Sequence, residues 1–138
     1  MIIFGIRIYL QLLMAMARPI FRIFDYEKAK AFYIDWLGFT IDWENKPDNS
    51  PIYLQISLDG IVIHLTEHHG DCSPGARIHI TNFSSLATYH EKLLAKNYKF
   101  NRPSLDKASW SPNAIGMETI DFYRGNIIKK NNDSKYFS

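Results

Sequence analysis

Residues Ile52–Glu67 carry the most regular hydrophobic pattern in the chain. Two alternating runs flank Asp59-Gly60, and Asp-Gly between alternating apolar residues predicts a two-residue type I′ hairpin, whose central positions need positive φ. That register sets Leu58 opposite Ile61, Ile56 opposite Ile63 and Leu54 opposite Leu65. With Ile52 they form one aliphatic face. The other face carries Tyr53, Gln55, Ser57, Val62, His64 and Thr66. It is too polar for a sealed core and rich enough in rings to suggest a ligand cavity; the plainer reading is an amphipathic hairpin with one wet face.

The preceding pattern gives a strand over Pro19–Phe24, with Phe21 and Ile23 on one face and Arg22 and Phe24 on the other. Asp25 is an N-cap for a helix over Tyr26–Leu37. Ala29, Phe32, Tyr33, Trp36 and Leu37 make its apolar stripe, and Gly38 ends it in the left-handed region. A second strand follows over Phe39–Glu44. Strict alternation puts Trp43 beside Ile41, on the side away from Thr40, Asp42 and Glu44.

After a linker from His68 to Gly75 the order repeats. Arg77–Thr81 is a strand with Ile78 and Ile80 inward and His79 on the opposite face. Asn82 or Ser84 caps a helix running to about Lys96, with Leu86, Tyr89, His90, Leu93 and Leu94 as its stripe. Asn97 stands where Gly38 stood. Lys99–Arg102 reads as a strand and Pro103–Asn113 as a loop. Ile115–Ile120 and Asn126–Lys130 form a last hairpin around Tyr123-Arg124-Gly125. An internal repeat of this length sets the architecture. The expected fold is α+β: two βαβββ units forming a curved mixed sheet, with helices on the outer face and a cavity within.

Residues 1–17 stand apart as an apolar stretch interrupted by Arg7. We read them as an extension outside the fold, with Met16 as a second possible start. A signal or anchor is the first competing reading, since Ala15-Met16-Ala17 resembles a peptidase site, but no basic region precedes the apolar run; an added structural helix is the second. The domain is set at 18–131, and 132–138 is a tail.

Composition narrows the function. The chain has 138 residues, 46% of them hydrophobic, enough for one domain with a real core. A net charge of +2 without a basic stripe gives no reason to expect nucleic acid. No membrane partner is expected either, and the location is taken as cytoplasmic. The single cysteine, Cys72, excludes an internal disulfide and a multi-cysteine zinc site. The linker's His, Asp and Cys match no zinc spacing.

With the repeat in place, the sequence resembles the vicinal-oxygen-chelate superfamily, which includes glyoxalase I, extradiol dioxygenases, fosfomycin-resistance enzymes and bleomycin-resistance proteins. The resemblance rests on strand–Asp25–helix, Ala31-Phe32-Tyr33 and Leu37-Gly38-Phe39. Ala17-Arg18-Pro19, Ile61–Glu67 and Ser109-Trp110 look closest to the bleomycin-resistance branch. There the branch has Pro-Trp-Gly, then Asp-Pro-x-Gly-Asn. Here Asp121–Asn126 has an extra residue and no proline.

The superfamily's enzymes hold a divalent metal through one ligand on each of four strands. The matching positions here fall at about Arg18, His64, about Gly75 and near Lys129. One of these can ligate, so no metal or other cofactor is expected. An unorthodox site would combine His64 with His79 and Glu67, but parity puts Glu67 on the aliphatic face. The resemblance therefore implies a non-catalytic small-molecule binder, a homodimer in which the N-terminal strand crosses to the partner near Pro19, and a drug sequestered in a groove between subunits. Ligand-binding candidates are Trp43, Tyr53 and Trp110 for stacking, and Gln55, His64, Thr66 and His79 for polar contacts. Asp42 and Glu44 are possible anions. A surface slightly basic overall argues for a ligand other than a cationic drug. The alternative is a metal-dependent lyase, isomerase or dioxygenase using His64 as one ligand.

Overall fold

The computed structural model describes residues 14–48, 50–107, 114–121 and 126–132. Among them the α+β expectation holds, with each repeat carrying its own four-stranded sheet. The first repeat comprises β1 (Ile20–Arg22), helix α1 (Tyr26–Ala29 with its continuation Lys30–Trp36), β2 (Thr40–Asn45), β3 (Tyr53–Leu58) and β4 (Ile61–Thr66). The second comprises β5 (Arg77–Ile80), α2 (Leu86–Ala95), β6 (Asp106–Lys107), β7 (Ile115–Ile120) and β8 (Ile127–Asn132). The strand orders are β1-β4-β3-β2 and β5-β8-β7-β6. In each sheet the first strand pairs parallel with the last and the other pairs are antiparallel. Helices α1 and α2 are the crossovers that parallel pairing requires.

The hairpin forms in the predicted register, Leu58 opposite Ile61, Ile56 opposite Ile63 and Leu54 opposite Leu65. Asp59 and Gly60 take φ of +48° and +83°, as a type I′ turn demands. Helix α1 starts as predicted, the Asp25 carboxylate accepting from Lys28 N at 3.0 Å. It is α-helical over Tyr26–Ala29 and then widens to π geometry over Lys30–Trp36. Ala29, Phe32, Tyr33, Trp36 and Leu37 are all buried against the hairpin's aliphatic face. Each such aliphatic or aromatic side chain contributes about 1.5–3 kcal/mol relative to exposure. Gly38 follows at φ +90°.

The second half departs from the pattern in two places. Lys99–Arg102 is not a strand, and the sixth strand lies downstream at Asp106–Lys107. Tyr98 is drawn out of extended pairing because it stacks on Trp36, with ring centroids 5.1 Å apart. Asn101 N then closes a turn on Tyr98 O at 3.3 Å, while its side chain donates to Ile120 O at 2.6 Å. The second correction is the cap of α2. Neither Asn82 nor Ser84 occupies it; Ser85 does, in a left-handed conformation and with no side-chain cap bond. Asn97 does take the left-handed turn expected of it, at φ +54°. The turn predicted at Tyr123-Arg124-Gly125 lies outside the described residues.

The two halves share one core. Trp36 Nε1 donates to Leu93 O at 3.0 Å, and Tyr89 Oη donates to Leu37 O at 2.6 Å. Buried Asn126 donates to Arg22 O at 3.0 Å and accepts from Gly75 N and Ala76 N, each at 3.2 Å. Among the described residues no helix is long and apolar enough to cross a membrane.

Candidate functional site

The site lies on the face of β2, β3 and β4 that turns away from the aliphatic core. Alternation alone would send Trp43 into that core. Instead β2 carries a bulge between Ile41, opposite Ile56, and Trp43, opposite Gln55, so Asp42 is an extra residue with no partner of its own. The shift puts Trp43 on the polar face, 45% exposed. Its ring stacks on Tyr53, with centroids 6.0 Å apart and planes 10° from parallel. His64 meets both rings edge-on, at 5.4 Å from Trp43 and 5.2 Å from Tyr53.

Hydrogen bonds tie this aromatic group to the bulge. Gln55 Nε2 donates to Asp42 Oδ2 at 3.0 Å, which leaves Gln55 Oε1 to face His64 Nε2 at 2.9 Å. A carbonyl oxygen only accepts, so the His64 proton sits on Nε2. Nδ1 of the neutral ring is then an acceptor, and Tyr53 Oη, 2.7 Å away, donates to it. Ser57 Oγ donates to Asp42 Oδ1 at 2.8 Å. A continuous chain thus runs Tyr53–His64–Gln55–Asp42, with a carboxylate at its end. Burial, and then the nearby Arg18 cation, lower the His64 pKa from 6.5, which favours the neutral ring. Burial, then Asp71 and Cys72, raise that of Tyr53 and keep it a proton donor.

Trp43, Tyr53, Gln55 and His64 therefore converge. Thr66 is one pair further along, opposite Tyr53, and is buried. Its hydroxyl donates to Asp71 Oδ2 at 2.6 Å and accepts from His68 N at 3.0 Å, pinning the loop after β4. Glu44 pairs on the Leu54 side and accepts from the Tyr26 hydroxyl, away from the group. Glu67 likewise faces the aliphatic side, where Oε1 accepts from Ile52 N at 3.0 Å.

His79 belongs to the other sheet. Its Nε2 meets Asn131 Oδ1 at 2.6 Å, and it lies in register with Lys129, itself opposite Glu118. Gly116 in turn lies opposite Asn131. The sheet face around His79 is charged, with Arg77 and Glu118 paired at 2.9 Å. Trp110 lies outside the described residues. Among the described residues no three His, Cys, Asp or Glu side chains converge as a metal would need.

Sequence reasoning missed the work of two residues. Asp42 is the junction of the polar chain, and Ser57 is its second donor. Adjacent polar residues Asp42 and Glu44 look equivalent in sequence; only the bulge separates them.

A family model described as glyoxalase superfamily protein matches residues 5–135. No curated protein matches the chain in sequence. Solved structures that resemble it include a bleomycin resistance determinant encoded on the transposon Tn5, at 15% identity and TM-score 0.65, covering 87% of this chain and 98% of that one. A bleomycin-binding protein complexed with bleomycin gives 15% identity and TM-score 0.64, with coverage of 87% and 99%. TnmS3, an antibiotic binding protein from Streptomyces sp. CB03234, gives 22% identity and TM-score 0.61, with coverage of 88% and 99%. At such identities the likeness speaks for the fold. With 131 of its residues matched by the family model, the chain belongs to the glyoxalase superfamily.

Proposed function

We propose that this member of the glyoxalase superfamily is a small-molecule binding protein that holds a planar ligand non-catalytically and without a metal. The observation that carries the reading is the Trp43–Tyr53 stack, exposed beside a hydrogen-bonded His64–Gln55–Asp42 chain. Aromatic faces favour flat ring systems, and the terminal carboxylate favours a donor or cation on the ligand. The neighbours described as binding bleomycin or an antibiotic support a drug-like ligand.

The donor chemistry supports work without a metal. Arg18 is a permanent cation, Gly75 offers no side chain, and Lys129 repels a cation. Both His64 nitrogens are committed to Tyr53 and Gln55. The exposed Ile20 and Phe24 beside β1 support a homodimer that covers them and closes the groove. A cytoplasmic place of action completes the reading.

The test is thermal melting of the metal-stripped protein with bleomycin, and separately with nickel, zinc and manganese. The reading expects a higher midpoint with the drug, because a ligand that binds only the native state stabilises it. Trp43→Ala should weaken binding about tenfold or more, since losing a stacked aromatic surface costs on the order of 1–3 kcal/mol. A rise with metal alone would sink the reading in favour of a metal-dependent enzyme using His64.

A further inference from the structure

The hydrogen-bond chain beside the Trp43–Tyr53 stack has a direction, and one end sets it. The Asp42 carboxylate has no proton to give, so the Gln55 amide turns its nitrogen toward it. Oε1 of Gln55 then faces His64 and holds the ring proton on Nε2. Nδ1 is left to accept the single proton of the Tyr53 hydroxyl. Ser57 gives its own hydroxyl proton to Asp42. Every donor in the chain thus points toward the bulge in β2.

What is left for a ligand follows by subtraction. Tyr53 Oη and Ser57 Oγ keep lone pairs but no proton. A carboxylate has about four acceptor positions, and Gln55 and Ser57 fill only part of those on Asp42. The second N–H of Gln55 is the chain's remaining donor. Asp42 is exposed, and Tyr53, Gln55 and Ser57 are half-buried, so this edge is open. Arg18, the cation that acts on His64, precedes β1, on the opposite side of β4 from β3.

Taking the proposed platform as the binding surface, we infer that its β2–β3 edge selects planar heteroaromatic ligands that carry N–H donors over flat ligands that present only acceptors. Asp42 is the positioning residue that sets this preference through Gln55 and His64. Stacking alone is nearly indifferent to a ring N–H exchanged for an oxygen. An edge of acceptors is not, because a ligand oxygen placed there meets lone pairs and leaves them unmatched.

The experiment is a side-chain NMR titration of the full chain at pH 7.5 with indole and, in parallel, benzofuran, neutral bicycles of one shape that differ by N–H against oxygen. Both should shift the ring signals of Trp43 and Tyr53, with indole bound about threefold to tenfold more tightly. Nitrogen-15 shifts of the His64 ring should report the Nε2–H tautomer. Asp42→Asn supplies an amide that can donate as well as accept, so Gln55 is free to turn over. The Nδ1–H tautomer should then appear, and the preference for indole should shrink toward equality. Equal affinities in the wild-type chain would overturn the inference and leave the platform standing. A wild-type His64 protonated on Nδ1 would overturn it too, as would a tautomer and a preference that Asp42→Asn leaves unchanged. Shifts from neither compound would overturn the platform reading and the inference together.

Discussion

His64 and Lys130 are both bases whose surroundings favour the neutral form, but they differ in what neutrality preserves. For His64 it preserves a direction. Neutral, the ring accepts from Tyr53 and donates to Gln55; protonated, it must donate at both nitrogens, and the Tyr53 bond reverses. Its folded pKa lies below 6.5, so its contribution is fully present above that value and is lost as pH falls from 6.5 toward the folded value. An NMR titration of the His64 ring should show a midpoint below 6.5. For Lys130 neutrality relieves a penalty. Its pKa drops from 10.5 to about 7, so the unfolded chain binds more protons in between and stability rises with pH across that window. Above pH 10 buried Tyr33 and partly buried Tyr89, whose pKa values are raised, oppose the trend. Lys130→Met should flatten the rise between pH 7 and 10. It should also stabilise the fold at pH 7 by on the order of a few kcal/mol, as urea unfolding at each pH will show.

Among the elements, α1 is the best isolated test of backbone against packing. Gly38 ends it at φ +90°, and a methyl group placed there would touch nothing within 4 Å. Gly38→Ala should therefore cost about 1–2 kcal/mol from conformation alone, measurable by chemical denaturation. This position was legible in the sequence, as was the hairpin, because Gly38 and Asp59-Gly60 are local backbone requirements written in residue type. The bulge in β2 was not legible. Ile41 and Trp43 alternate perfectly in sequence, and the extra residue shows only in pairing with β3. The shift of the sixth strand was hidden for a related reason. Tyr98 and Phe100 look like strand residues, yet Tyr98 spends its ring on Trp36 from the other repeat. Single-strand patterns report local periodicity; they are silent where a partner from elsewhere decides.

For the molecule as a whole, Asn126 is the joint. One side chain holds Arg22 in the first repeat and Gly75 and Ala76 at the entry to the second, and its amide also reaches Tyr33 Oη at 3.3 Å. Asn126→Ala would leave several of these buried groups unpaired, at a cost of about 3 kcal/mol. Its unfolding should stay a single transition with a lower midpoint, which calorimetry checks. The repeat itself was legible from the recurring order of elements, whereas this joint was not, since its partners lie far apart in sequence. The same distance between repeats explains why His79, grouped with His64 on residue type, sits on a different and charged sheet face. One more consequence follows from Asp42, seen now as inheritance. A bulged strand absorbs an added residue without moving what lies on either side. Trp43 would still face Gln55 if Asp42 were deleted, but the carboxylate that holds Gln55 and Ser57 would be gone. Descendants of one ancestor could thus gain or lose an anion beside an unchanged aromatic platform through a single codon's insertion or deletion. In an alignment that event is a gap rather than a substitution, so ligand preference on this scaffold can diverge at a column that conservation scores pass over.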